Sequence, residues 1–277
     1  AAVSAIVLTE SVLTIIYALA MGLSMSATAM VARRTGEKNP EAAARAGMQA
    51  TLLAFFITVI ISVAGVVFTP QILALMGASP ETIEAGTSYT RILFGSSIVI
   101  MLLFLINGIF RGTGNASIAM RSLLIANVCN IILCPLLVLY GLGPLPAMGV
   151  TGAAIATSIG RGIGVLYQLY HLFGKKQQTI VIKKAYLIPD WRLIRSLFHI
   201  AWTATAQFLV GAVSWLALTR IMASFGDDAV AGYGVAMRLI TFFILPAWGM
   251  ANAAATLVGQ NLGAGQAARL DHQRALH

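Results

Sequence analysis

The chain has 277 residues; 58% are hydrophobic, 10% are charged, and the formal net charge is +9. A soluble domain carries about 25% charged residues, so this composition cannot cover a fold with a solvated surface and points to an all-α, polytopic transmembrane helical bundle. The two cysteines, Cys129 and Cys134, share one apolar run and fit neither a disulfide framework nor a metal site.

A helix needs roughly 20 residues to cross about 30 Å of hydrocarbon, and such segments recur along the whole chain. The first is predicted at about 3–31, after an opening, AAVSAIVLTE, that has no methionine or basic leader and reads as a trimmed start. The second covers about 47–69 and stops at Pro70; the third covers about 90–110, the fourth about 122–141 and the fifth about 149–173. The most polar interruption, 174–195, reads as a linker, and two more segments follow at about 196–223 and 229–258. The expected organisation is an N-terminal lobe at 1–173, the linker at 174–195, and the start of a second, incomplete lobe at 196–277.

Charge sets the direction of insertion. Connections after the odd-numbered segments carry Arg33, Arg34, Lys38 and Arg45; Arg111 and Arg121; Lys175, Lys176, Lys183, Lys184, Arg192 and Arg195; then Arg269 and Arg274. The alternate connections carry Glu81 and Glu84, then no charge in GLGPLPAMG, then Asp227 and Asp228. Basic residues stay on the cytoplasmic side, so the odd-numbered connections are expected to be cytoplasmic. The net charge is a topology signal, and no nucleic-acid partner is needed to explain it.

Residues 2–36 repeat in 229–263 at a constant shift of 227, with identities at Ala2/Ala229, Val3/Val230, Thr14/Thr241, Ala20/Ala247, Gly22/Gly249, Ala27/Ala254, Val31/Val258 and Gly36/Gly263. Both copies cross in the same direction, so the repeat is parallel, a common plan for secondary transporters whose substrate path lies between two pseudo-symmetric lobes. Pro135 in the fourth segment and Pro246 in the seventh are expected to bend their helices.

The stretches GLSMSATAMVARRTGEKNPEAA, NGIFRGTGNA, NIILCPLLVLYGLGPLPAMGVTGAAIATSIGRG, LTRIMASFGDDAVAGYGVAMRL and WGMANAAATLVGQNLGAG, taken together and in this order, resemble the multidrug and toxic compound extrusion (MATE) family. The resemblance implies a twelve-helix antiporter, of which this chain holds about the second to eighth helices. It implies export of cationic or amphipathic drugs and toxic compounds in exchange for protons or sodium, by alternating access. The expected partners are small organic molecules and the lipid bilayer. The expected setting is a monomer in the cell (inner) membrane, with no cofactor beyond the coupling ion. A lipid-linked oligosaccharide flippase of the same two-lobe plan, and a seven-helix receptor or channel, are the alternatives. No nucleophile–base set, metal cluster or phosphate loop is legible, so enzyme activity is not expected.

Polar groups at membrane depth are costly and mark function. Glu10, the one acid inside a predicted segment, is a candidate for proton or cation coupling, with a structural ion pair as its alternative. Arg238 lies beside the repeat equivalent of Glu10, so the two are candidates to face each other across the cleft. Asn130 and Cys134 lie one helical turn apart and share a face; with Thr157 they match positions that form a cation site in some family members, where an aspartate occupies the position of Cys134. A neutral thiol lacks the charge that offsets dehydration of sodium, which favours a proton, although sodium near Asn130 and Thr157 stays open; plain interhelical hydrogen bonding is the other reading. Arg161, Gln207, Trp215, Arg238 and Asn107 are placed on the substrate path or its gates. Met237, Met250, Trp202 and Trp248 add adaptable apolar surface.

Overall fold

The computed structural model describes residues 2–140, 147–174, 184–223, 225 and 227–265. The predicted basic residues Lys175, Lys176, Lys183, Arg269 and Arg274 lie outside them, as do 141–146 of the uncharged connection. The described residues form helices α1 (Ala2–Gly36), α2 (Pro40–Val67), α3 (Thr69–Leu75), α4 (Pro80–Gly95), α5 (Ser97–Gly112), α6 (Ala116–Pro135), α7 (Gly149–Phe173), α8 (Trp191–Ala223) and α9 (Asp227–Gly263). Among these residues, seven helical spans are long and apolar enough to cross a membrane.

Starts and stops follow local chemistry. Asn39 caps α2 by accepting from the Ala42 amide at 2.9 Å, with Pro40 opening the helix, and Ser79 caps α4 ahead of Pro80. Proline suits the first turn, where its missing amide hydrogen has no intrahelical partner. Pro70 likewise sits in the first turn of α3, beyond the end of α2 at Val67. Past the end of α1, Glu37 is bound by Arg34 at 2.7 Å and Arg33 at 3.3 Å. The Arg34 hydrogen bond, above all, holds its carboxyl below the usual carboxylate range.

The third span differs from the single segment expected at 90–110. It runs from Pro80 to Gly112 as two helices meeting at Ser96, whose ψ of 5° breaks the regular turn. The sixth begins at Trp191, five residues before the expected start, because Asp190 Oδ1 accepts from the Arg192 and Leu193 amides and caps the helix there. The linker is correspondingly shorter than 174–195. Its described end is clamped to α2: buried Gln49 donates to the Tyr186 and Ile188 carbonyls, both at 2.8 Å, and accepts from the Asp190 amide at 3.0 Å. Arg45 adds an ion pair to Asp190 at 2.9 Å. Pro135 ends α6 in a π-helical turn, Leu136–Tyr140, whereas α9 continues through Pro246 as one helix.

Small residues set the packing, as expected where helices approach closely in lipid. Helices α1 and α4–α5 lie side by side and run the same way. Thr9 and Thr90 hydroxyls meet at 2.7 Å, Ser24 Oγ donates to the Phe104 carbonyl at 2.7 Å, and Thr28 Oγ1 donates to the Gly108 carbonyl at 3.0 Å. On α7, Gly152, Gly160 and Gly164 let the backbone of α6 and of the π-helical turn after it approach: a Cβ on Gly152 would meet the Leu137 carbonyl oxygen at 2.5 Å, and one on Gly160 the Ala126 carbonyl oxygen at 2.7 Å. Helix α8 packs antiparallel on another face of α1, where Gly22 abuts Ala201 and Thr205 and Ser26 Oγ donates to the Leu197 carbonyl at 2.8 Å.

Helix α9 meets α1 at a seam of matched positions. A side chain on Gly36 would collide with the backbone of Gln260, and one on Gly263 with the backbone of Arg33. Gly36 and Gly263 are repeat equivalents at the shift of 227, and so are Arg33 and Gln260. Ala32 and Gly259, also equivalent, touch each other, with a Cβ on Gly259 lying 2.9 Å from that of Ala32. Contacts that exchange in this way, with one position meeting its own equivalent, are the signature of a twofold relation between two surfaces. The sequence repeat therefore has a spatial counterpart in α1 and α9.

Candidate functional site

Two polar regions flank this packing. The first lies within the bundle of α1 and α4–α7. Asn130 Nδ2 donates to Thr157 Oγ1 at 3.0 Å, joining α6 to α7, and Gly160, one turn beyond Thr157, supplies the close approach against Asn130 that makes this bond possible. Arg161, half-buried on the next turn, donates to the Tyr17 hydroxyl at 2.7 Å and lies 5.6 Å from the centre of the Tyr17 ring. Tyr17 packs edge-on against Phe104.

The expected ion pairs do not form. Glu10 is exposed, and among the described residues no ion pair joins it to Arg161 or to Arg238, which is also exposed. Arg161 is satisfied by a phenol instead. Tyr17 was absent from the sequence candidates, yet it stands seven residues after Glu10, on the same helical face, so the signal was there.

Asn107 departs from its expected place on a substrate path. It is 2% exposed and accepts from Gln168 Nε2 at 2.7 Å and from Ser122 Oγ at 3.1 Å. Gln168 also donates to Ser122 Oγ at 3.0 Å and to the Leu103 carbonyl at 3.2 Å. This knot ties α5, α6 and α7 together, and its physical reason is plain: buried polar side chains pair with one another, although Gln168 Oε1 is left without a partner. Gln168, an amide deep in the fifth span, was legible as a candidate and was missed.

The second region is a cavity of about 230 Å³ between α1, α5, α8 and α9, near the seam. Phe208 and Trp248 line it, their ring centres 5.8 Å apart, together with Phe104, Ser24 and Arg111. Gln207 and Trp215, the positions expected on α8, are exposed and do not line it; Phe208, beside Gln207, takes that place. Arg111 reads in the sequence as a topology charge, but its side chain turns into the cavity, where Nη2 donates to Ser24 Oγ at 2.9 Å. Among the described residues, no group of His, Cys, Asp or Glu side chains could hold a metal ion.

Seven apolar helical spans, a polar cluster inside one bundle and an aromatic cavity beside a seam of matched positions define a multi-pass membrane protein. The sequence model of the MatE family matches residues 1–136 and 203–275, and the chain belongs to that family. It is 28% identical over 252 residues to the probable multidrug resistance protein YoeA of Bacillus subtilis, covering 90% of this chain and 54% of that protein. It is 28% identical over 269 residues to an FAD transporter of Shewanella oneidensis, covering 97% of this chain and 59% of that one. Its fold superposes on a crystal structure of MATE in the straight conformation with a TM-score of 0.90 at 27% identity, over 98% of this chain and 60% of the other. The chain thus spans a little over half the length of these relatives. Membership removes the seven-helix receptor and the oligosaccharide flippase as alternatives.

Proposed function

We propose that the protein exports amphipathic small molecules across the cell (inner) membrane in exchange for protons or sodium. Two lobes, 1–173 and the one beginning at 196, rock about the seam between α1 and α9 and expose the cavity alternately to the two sides. Odd-numbered connections face the cytoplasm, which puts the Gly36–Gly263 end of the seam at the inner surface. The observation that carries this reading is the exchanged contact of Gly36 with Gln260 and Gly263 with Arg33, because two matched helix ends in backbone contact form a closure that a lobe rotation parts. The relatives named for multidrug resistance and FAD transport agree with a small-molecule cargo.

The coupling group in this reading is Glu10. It is exposed on α1, the helix that also carries Tyr17, so loading a proton there changes the charge on the element that the Tyr17–Arg161 contact joins to α7. Asn130 and Thr157 supply neutral oxygens, and Cys134 adds no hard charged ligand, so the proton is preferred over sodium. No further cofactor is invoked, and the carrier acts as a monomer.

The test is dye efflux by the protein in everted vesicles under a proton gradient or a sodium gradient, with Glu10→Gln alongside. Efflux driven by protons, with its pH dependence flattened in Glu10→Gln, is the expected result. Efflux that follows sodium alone would reverse the assignment of the ion, and an unchanged pH profile in the variant would remove Glu10 from coupling.

A further inference from the structure

The sign of the charge in the aromatic cavity is set by Arg111. Of the side chains lining it among the described residues, Arg111 is the one that carries a charge. Its guanidinium makes one hydrogen bond, to the neutral Ser24 hydroxyl, whose own proton is committed to the Phe104 carbonyl. Arg111 Nε is buried and has no partner. Among the described residues the ion-paired carboxylates sit elsewhere: Glu37 holds Arg33 and Arg34, and Asp190 holds Arg45.

Arg111 is half-buried, with Nε sealed and no counter-ion paired to it; partial desolvation of that charge is unfavourable, and the cost is recovered when an anion arrives with lone pairs for the idle donors. The same charge repels a cation in a medium of low dielectric constant. The rest of the lining is apolar and aromatic: Phe208 and Trp248 meet at 57°, beside Phe104, and offer ring faces to a flat apolar body. Planar oxyanions such as carboxylate, sulfonate and phosphate match the fork of the guanidinium donors.

We infer that this cavity receives amphipathic organic anions, the acid group held by Arg111 and the aromatic body lying against Phe208 and Trp248. The assignment rests on the exporter reading and replaces the cationic cargo expected from family resemblance. Arg111 lies at the last turn of α5, toward the inner end of the seam, so an anion entering from the cytoplasm meets it as the seam opens.

Fluorescein and rhodamine 6G share a xanthene body and differ in charge, anionic against cationic, which makes them matched probes. Binding is measured by fluorescence polarisation with the protein in nanodiscs, and export in vesicles. Wild-type protein is expected to bind and export fluorescein in preference to rhodamine 6G. Arg111→Gln is expected to weaken fluorescein binding by about ten- to a hundredfold, the loss of a charge-assisted hydrogen bond, without weakening rhodamine 6G, while Arg111→Lys keeps most of the preference. A wild-type preference for rhodamine 6G would overturn the inference without any variant, and so would equal loss of both dyes in Arg111→Gln. Charge-selective binding with neither dye exported would uphold the anion site and remove the exporter reading.

Discussion

Gly160 and Gly162 stand two residues apart on α7 and give a matched pair of perturbations. A Cβ on Gly160 would lie 2.7 Å from the Ala126 carbonyl oxygen, 3.2 Å from the Asn130 amide nitrogen and 3.3 Å from the Asn130 Cβ, whereas one on Gly162 would meet nothing within 4 Å. The obstruction at 160 is mostly backbone, so Gly160→Leu must push α6 away. Overpacking of this kind costs about 1–3 kcal/mol. Separation also breaks the Asn130–Thr157 bond of 3.0 Å, worth about 0.6 kcal/mol between membrane helices and at most about 1.7. Leucine gains roughly 0.8 kcal/mol over glycine in helix propensity, which offsets only part of this. The net expectation is destabilisation by about 1–3 kcal/mol for Gly160→Leu, and stabilisation by under about 1 kcal/mol for Gly162→Leu. Both free thiols, Cys129 and Cys134, ride on α6 and are half-buried, so a thiol-reactive fluorophore followed through a thermal ramp in detergent reads its release directly. Earlier labelling in Gly160→Leu and unchanged or later labelling in Gly162→Leu is predicted. Equal behaviour of the two variants would refute the claim that glycine contact builds the Asn130–Thr157 site.

Two other perturbations address the seam and the linker. Gly36→Leu and Gly263→Leu each place a side chain into the opposing backbone, while Gly249→Leu meets nothing within 4 Å; the first two are predicted to favour the parted seam by about 1–3 kcal/mol, roughly a five- to hundredfold shift in population. Solvent labelling of an engineered cysteine at Ala32 checks it, with Gly249→Leu matching wild type. Gln49→Leu removes three hydrogen bonds of 2.8–3.0 Å to 186–190, about 2–4 kcal/mol in sum, and is predicted to speed proteolysis near Tyr186 with little change in the α6 thiol ramp.

The spans were legible because hydropathy and charge alternation are one-dimensional signals, and the repeat of 2–36 in 229–263 led directly to the seam. Azimuth was harder to read. Helix α1 is apolar nearly all round, so nothing in its sequence decides which face meets α5, α8 or α9; Tyr17 could be found only from its spacing to Glu10, and Ser24 only from its contacts. The break at Ser96 is hidden because Ser96 and Ser97 interrupt an otherwise apolar run too briefly to read as a turn. Asn107 and Arg111 sit four residues apart on α5, yet one is sealed in a knot with Gln168 and the other faces the cavity. Sequence spacing puts them on neighbouring turns of one face; only packing against α1 and α7 separates their roles. Of Asn130, Cys134 and Thr157, the structure joins Asn130 to Thr157 at 3.0 Å, a contact that the close approach at Gly160 permits.

The account depends on α1 and α9 parting at their matched ends, and a reversible cross-link tests that most directly. With Cys129 and Cys134 replaced by alanine, cysteines at Ala32 and Gly259 would place their Cβ atoms near 2.9 Å, a slight opening away from the spacing of about 3.8 Å usual for a disulfide. Oxidation is predicted to form the bond and stop dye export, and reduction to restore it. Undiminished export by the fully cross-linked protein would contradict the account.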